Sequence, residues 1–139
     1  MARIRSTRGD LDGELAALDL VPPTSRAFTS ARRQRAGLLA DSGRGLPALA
    51  EAMGSIESLT IEPRERASLA VDVLQAALEE VLDDGPKPDI SIAGRPAVEP
   101  ALRDGLEAAY RDLAGHAPTR TERVHLVDRA NAVRRWSLR

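Results

Sequence analysis

The chain contains no cysteine, which removes both a disulfide framework and any thiolate zinc site. It has only three aromatic residues, Phe28, Tyr110 and Trp136. Scattered as they are, and with β-branched residues scarce beside abundant alanine, they favour close-packed helices over sheets. Long apolar runs are missing as well. Arg3, Arg5 and Arg8 are followed by no apolar stretch, so nothing reads as a secretory signal, and no segment has the length of a membrane span. Among 20 basic residues only Lys87 is a lysine, and the formal net charge is −1. That balance argues against a nucleic-acid module, which needs a basic stripe on one face.

What remains is a chain of 139 residues, long enough for one domain with a single core. A cytoplasmic location is the expectation. The last stretch, Thr119 to Trp136, carries the most local information. Thr119 and Glu122 have capping-box spacing, and Val124, Val127 and Ala130, widened by Leu126 and Val133, make an apolar stripe that must close on something upstream. It reads as a lid.

Sliding the sequence along itself by 34 residues places Ile4 on Leu38, Gly9 on Gly43, Leu15 on Leu49 and Ala16 on Ala50. That offset is the period of the tetratricopeptide repeat, an antiparallel helix pair with a small residue at the contact. Ala48 fills that position in the second copy and Glu14 stands there in the first. A charge would be costly in a dry contact, so the first pair is expected to be frayed or re-registered. On this period the first copy should begin about ten residues before Met1. The chain is therefore expected to start inside a truncated repeat whose open N-terminal edge wants a partner.

The expected elements follow in order. A helix from Asp10 to Leu20 is broken by Pro22 and Pro23. The next runs from Ser25 to Asp41, with Thr24 and Ser25 as N-cap residues and Ala27, Ala31 and Leu38 on one face. After a turn at Gly43 and Gly45 comes Leu46 to Leu59, with Leu49, Met53 and Ile56 inward. Pro63 opens the strongest amphipathic segment, to Leu82, where Ala70, Val73, Leu74, Ala77, Leu78 and Val81 fit helical spacing. Asp72, Gln75, Glu79 and Glu80 face outward. Residues 83–96 hold three prolines and read as one long loop. A helix from Val98 to about Gly115 buries Leu102, Leu106, Ala109, Tyr110 and Leu113, and the last helix completes the array. The fold class is all-α, with antiparallel helix pairs stacked as a short tetratricopeptide-like solenoid of about six helices.

Several constellations could carry chemistry. Arg32, Arg33 and Arg35 form the densest basic run, read as a solvated face or a packing surface for a missing neighbour before a phosphate-contacting patch. Binding to duplex nucleic acid would show there as salt-dependent affinity. Gly43-Arg44-Gly45 lies between two helices rather than after a strand, so it reads as a turn and not a phosphate cradle. Asp10, Asp12 and Gly13 resemble a calcium loop only faintly, since Val21 stands where the bidentate Glu belongs. Asp83, Asp84 and Asp89 read as a solvated turn. His116 and His125 have no Asp or Glu four residues on, and His116 suits a helix C-terminus. A carboxylate clamp of Lys, Asn and Arg would have only Lys87 and Asn131 for its Lys and Asn members, which favours helix-face packing as the binding mode. The expectation is no catalytic, cofactor-binding or metal site.

Three strings together resemble one family: Leu20-Val21-Pro22-Pro23-Thr24-Ser25-Arg26-Ala27-Phe28, then Leu106-Glu107-Ala108-Ala109-Tyr110-Arg111-Asp112-Leu113-Ala114, then Glu122 to Arg134 with its core Leu126-Val127-Asp128-Arg129-Ala130-Asn131. They are similar to the C-terminal tetratricopeptide domain of bacterial protein kinase G, over nearly the whole chain. In that family the domain follows a rubredoxin-like metal module and a Ser/Thr kinase domain, and its repeats mediate dimerisation and help present substrate. The Gly-rich strand turn, catalytic Asp-Asn loop and Asp-Phe-Gly of a kinase have no counterpart here. The resemblance therefore implies a non-catalytic protein-interaction or dimerisation scaffold, without cofactor, metal, membrane or nucleic acid. The alternative is a stand-alone adaptor that binds a protein through its open N-terminal repeat edge, using Leu15 and Leu18. Arg135 stands where the family usually has Pro, so the exit path after Val133 is expected to differ.

Overall fold

The computed structural model describes residues 8–57 and 59–137. Six helices and one hairpin follow in chain order: α1 (Arg8–Asp19), α2 (Phe28–Asp41), α3 (Leu46–Ile56), α4 (Pro63–Asp84), β1 (Lys87–Ile92), β2 (Arg95–Ala97), α5 (Glu99–Gly115) and α6 (Arg120–Ser137). Each helix packs on the one before and the one after, and α2 also touches α4. This is the expected all-α, tetratricopeptide-like stack. The shifted matches at Ile4, and the half-helix expected ahead of Met1, lie outside the described residues.

Helix α4 shows why the sequence pattern works. Val73, Leu74, Ala77, Leu78 and Val81 are buried in the common core, Ala70 is half-buried, and Asp72 and Glu79 are exposed. Pro63 is its first residue, and Gly85 ends it at φ 95°, its N–H donating to the Val81 carbonyl at 2.8 Å. At this positive φ, with ψ 168°, only a residue without a Cβ ends the turn free of strain.

Helix α3 stops at Ile56 rather than Leu59. The Arg66 guanidinium on α4 reaches the Ile56 carbonyl at 3.0 Å and also the Leu59 carbonyl. It supplies the donors that the C-terminal carbonyls of a helix lack. Helix α2 starts at Phe28 rather than Ser25, because the Ser25 hydroxyl accepts from the Ala27 N–H at 3.0 Å in a tight turn of its own.

Residues 83–96 are not one loop. Within them β1 runs antiparallel into β2, pairing Ile92 with Arg95, Ser91 with Pro96 and Lys87 with Ala97, with a bulge on β1 between Lys87 and Ser91. Ala93 and Gly94 both have positive φ, 54° and 78°, the geometry of a two-residue primed turn that matches strand twist. Pro86 precedes β1, Pro88 falls in the bulged stretch, and Pro96 is tolerated because a two-stranded ribbon has an outer edge where no N–H is needed. Ile92 and Ala97 are fully buried: β1 lies against α3, β2 against α5, and both touch α4. The hairpin thus fills the space between α3 and α5.

Two expected faces shift. Val124 is 51% exposed, and the inward stripe of α6 runs instead through Leu126 and Ala130, flanked by Val127 and Val133. Ala27 is exposed, and Ala31, Ala36 and Leu39 form the buried face of α2. Backbone of α6 stays helical through Arg135 to Ser137, so the chain leaves along the helix axis.

Candidate interaction surfaces

In the run Arg32-Arg33-Gln34-Arg35, Gln34 is exposed and the three arginines are half-buried and pair with groups of the same chain. Arg32 Nη1 is 3.1 Å from Asp19 Oδ1 at the end of α1, and Arg33 donates to Glu65 on α4. Arg35 donates to Ser55 Oγ at 2.9 Å and to Glu51, both on α3, while its Nε lies 2.8 Å from Asp19 Oδ1. Ser55 Oγ in turn donates to the Glu51 carbonyl at 2.9 Å. One turn of α2 therefore braces three other helices.

Arg35 is the centre of this brace, its side chain only 11% exposed. Burial works against its charge, but the hydrogen bond it donates to Glu51 and the fields of Asp19 and Glu51 outweigh it, so the guanidinium holds its proton more tightly than usual. Arginine suits this place because its planar fork serves several acceptors at once.

Similar pairs stitch the rest of the stack. Arg44, in the α2–α3 turn, is 2.8 Å from Asp12 of α1. Arg64 at the start of α4 is 2.9 Å from Glu122 at the start of α6. Thr119 Oγ1 accepts from the Glu122 N–H at 3.1 Å, so Thr119 caps α6 while the Glu122 carboxylate turns to Arg64. Arg111 pairs with Glu107 and also donates to Asn131 Oδ1 at 2.8 Å, joining α5 to α6.

The remaining candidates take structural places. Gly43 and Gly45 have φ 70° and 91° and turn the chain from α2 into α3. Asp12 is engaged by Arg44, and Asp83 and Asp84 end α4. Among the described residues no three His, Asp or Glu side chains converge as metal ligands. His116 sits at the C-cap of α5, 3.6 Å from Asp112 one turn earlier, a carboxylate that counting only forward from the histidine overlooks. Lys87 Nζ approaches the Asp84 carbonyl at 3.4 Å, whereas Asn131 braces α5 to α6, so the two belong to different elements. Glu14 is exposed, and Leu11 and Leu15 make the buried contact of α1 in its stead. Leu15 is thus a core residue, and its replacement by Asp would probe folding rather than a partner.

Three open features lie on the surface. Leu20 stands 82% exposed after α1, and Val124 lies on the outer face of α6. A cleft of about 440 Å³ separates α3 from the hairpin tip, lined by Ala50, Met53, Gly54, Glu57, Ser91, Ala93 and Gly94. No helix among the described residues is long and apolar enough to cross a membrane.

Comparison with known proteins bears on the whole stack. The family described as "Protein kinase G tetratricopeptide repeat" matches residues 1–137. The chain is 41% identical over 140 residues to "Serine/threonine-protein kinase PknG" of Mycobacterium leprae (strain TN), covering 96% of this chain and 18% of that protein. It is also 41% identical over 143 residues to the protein of the same description in Mycolicibacterium smegmatis (strain ATCC 700084 / mc(2)155), covering 99% of this chain and 18% of that one. The chain therefore spans less than a fifth of the length of these relatives.

Proposed function

Because this chain belongs to the protein kinase G tetratricopeptide repeat family, we propose that it acts as a non-catalytic interaction scaffold of a protein kinase G-type Ser/Thr kinase, working in the cytoplasm by self-association and by holding a protein substrate or partner. The observation that carries this reading is the match of the entire stack to one repeat region of the relatives. The stack supports it physically: helical repeats bury their faces on one another and leave extended side and end surfaces for other proteins. The polar residues seen here serve that architecture, with arginines bridging helices. Catalysis of phosphoryl transfer would need metal-binding and phosphate-binding groups in one cleft, and the cleft between α3 and the hairpin offers one carboxylate, Glu57.

Sedimentation velocity over a hundredfold concentration range tests the self-association part. A concentration-dependent shift to a dimer is the expected result, and a monomer throughout would remove it. Mixing the chain with the kinase region of a relative and its protein substrate, then measuring substrate turnover, tests the presenting role.

A further inference from the structure

We propose that the cleft between α3 and the hairpin tip binds an extended segment of a partner protein as an added β-strand, and that this segment carries a basic side chain opposite Glu57. The proposal rests on the scaffold reading and names a site and a peptide chemistry for it.

The argument begins with the ladder. Ile92 and Arg95 flank the two-residue turn and form the closing pair of the hairpin, so Ser91 and Pro96 are the next pair. In an antiparallel ladder such pairs alternate between hydrogen-bonded and non-bonded. Pro96 has no N–H to give, and its carbonyl accepts from the Val98 N–H at 2.8 Å. Ser91 and Pro96 are therefore the non-bonded pair, and the Ser91 N–H and C=O point to the outer edge of β1. β1 lies beside α3 and β2 beside α5, so this outer edge is on the α3 side, and Ser91 is among the residues that line the cleft.

An unpaired strand edge facing an apolar helix is the arrangement that strand addition uses. The main chain supplies affinity, and alternate side-chain pockets supply specificity. The helix wall here is Ala50 and Met53, both half-buried, with Gly54 next to Met53 and Glu57 one turn on. A Cβ built on Gly54 would meet nothing within 4 Å, so the groove is open at that point. The bulge between Lys87 and Ser91 interrupts β1 on the far side, which limits the usable edge to the tip. Glu57 is the one charged residue among those lining the cleft, and it selects Lys or Arg over Asp or Glu in the incoming segment.

The test uses the full chain, isotope-labelled, titrated with an extended peptide of alternating valine and threonine bearing one central arginine. A second peptide has glutamate in place of the arginine. Binding of the arginine peptide should shift the Ser91 amide and slow its hydrogen exchange, with affinity about tenfold above the glutamate peptide. Gly54→Leu adds a side chain where the Cβ has open space and removes a helical glycine, so it should melt no lower than the parent chain yet lose the peptide. Glu57→Lys should invert the charge preference. The proposal is overturned if neither peptide moves the Ser91 amide, or if Gly54→Leu binds unchanged. It is also overturned if the Ser91 amide shifts with chain concentration alone, because a second copy would then occupy the cleft. A chain that self-associates in sedimentation yet ignores both peptides keeps the scaffold reading and loses this one.

Discussion

Helices α2 and α5 each sit between two packed neighbours, and they are held in opposite ways. Helix α5 presents seven buried residues in 17, including Leu102, Leu106, Ala109 and Tyr110, and interlocks with α4, α6 and the hairpin. Helix α2 presents three in 14, two of them alanines, and holds α1, α3 and α4 through Arg32, Arg33 and Arg35. Ion pairs that reach solvent contribute about 0–1 kcal/mol each, whereas a fully buried Leu contributes about 1.5–3 kcal/mol. The N-terminal end of the stack is therefore specified by charge geometry and only weakly stabilised by it, while the α4–α6 end with its hairpin is the stable body. Weakly held elements open first and are the ones that adapt to partners.

The largest effect should come from Leu74→Asp. Leu74 is 2% exposed, between α4 and α5, and an unpaired charge there exceeds the stability of an ordinary domain or nearly so. Circular dichroism should show loss of the cooperative transition. Arg35→Ala should cost about 1–2 kcal/mol, since the buried Ser55 hydroxyl loses a donor while the exposed carboxylates of Asp19 and Glu51 still reach water. Gly105→Ala comes next. The added methyl would stand 2.7 Å from Arg95 Cδ, so this flexible side chain must move off α5, and after the helix gain of alanine the net cost should be no more than about 1 kcal/mol. Gly37→Ala in α2 meets nothing within 4 Å and should instead stabilise by about 0.5–1 kcal/mol. Opposite signs in thermal melts of these two variants would sharpen the contrast; equal signs would break it.

The penalty of Arg35→Ala should shrink in high salt, while that of Gly105→Ala should not. The smallest effect belongs to Asp72. Its carboxyl is held above the usual aspartate range, first by partial burial and then by the charge of Asp41 across from α2, although it still reaches solvent. The folded state then binds this proton more tightly than the unfolded chain, so the group's contribution improves as pH falls through its raised value. Asp72→Asn should raise the Tm at pH 7 and change little once the pH is below the ordinary aspartate range.

Most of the helical framework could be read from the sequence because it depends on local period and punctuation. Val73, Leu74, Ala77, Leu78 and Val81 lie at helical spacing, and Pro63 and Gly85 mark the ends. The hairpin could not be read as easily, because Pro88 and Pro96 within it and Pro86 just ahead oppose strands in general, though a two-stranded ribbon tolerates proline at an outer edge or a bulge. The alternation of Ile90 and Ile92 ahead of Ala93-Gly94 was the available signal. The role of Arg32, Arg33 and Arg35 was hidden for a different reason. Their partners Asp19, Glu51 and Glu65 come from three other helices, and only the packed stack brings them together. The cleft at Ser91 is likewise a product of tertiary docking of the hairpin on α3.

Native-state hydrogen exchange of the chain in 0.05 M and 1 M sodium chloride tests most directly whether charge holds one end and apolar burial the other. At 1 M the screening length falls to about 3 Å. Amides of α1 and α2 should then exchange faster, while those of α4 and α5 keep their protection. A uniform change along all six helices, or none in α1 and α2, would contradict the account.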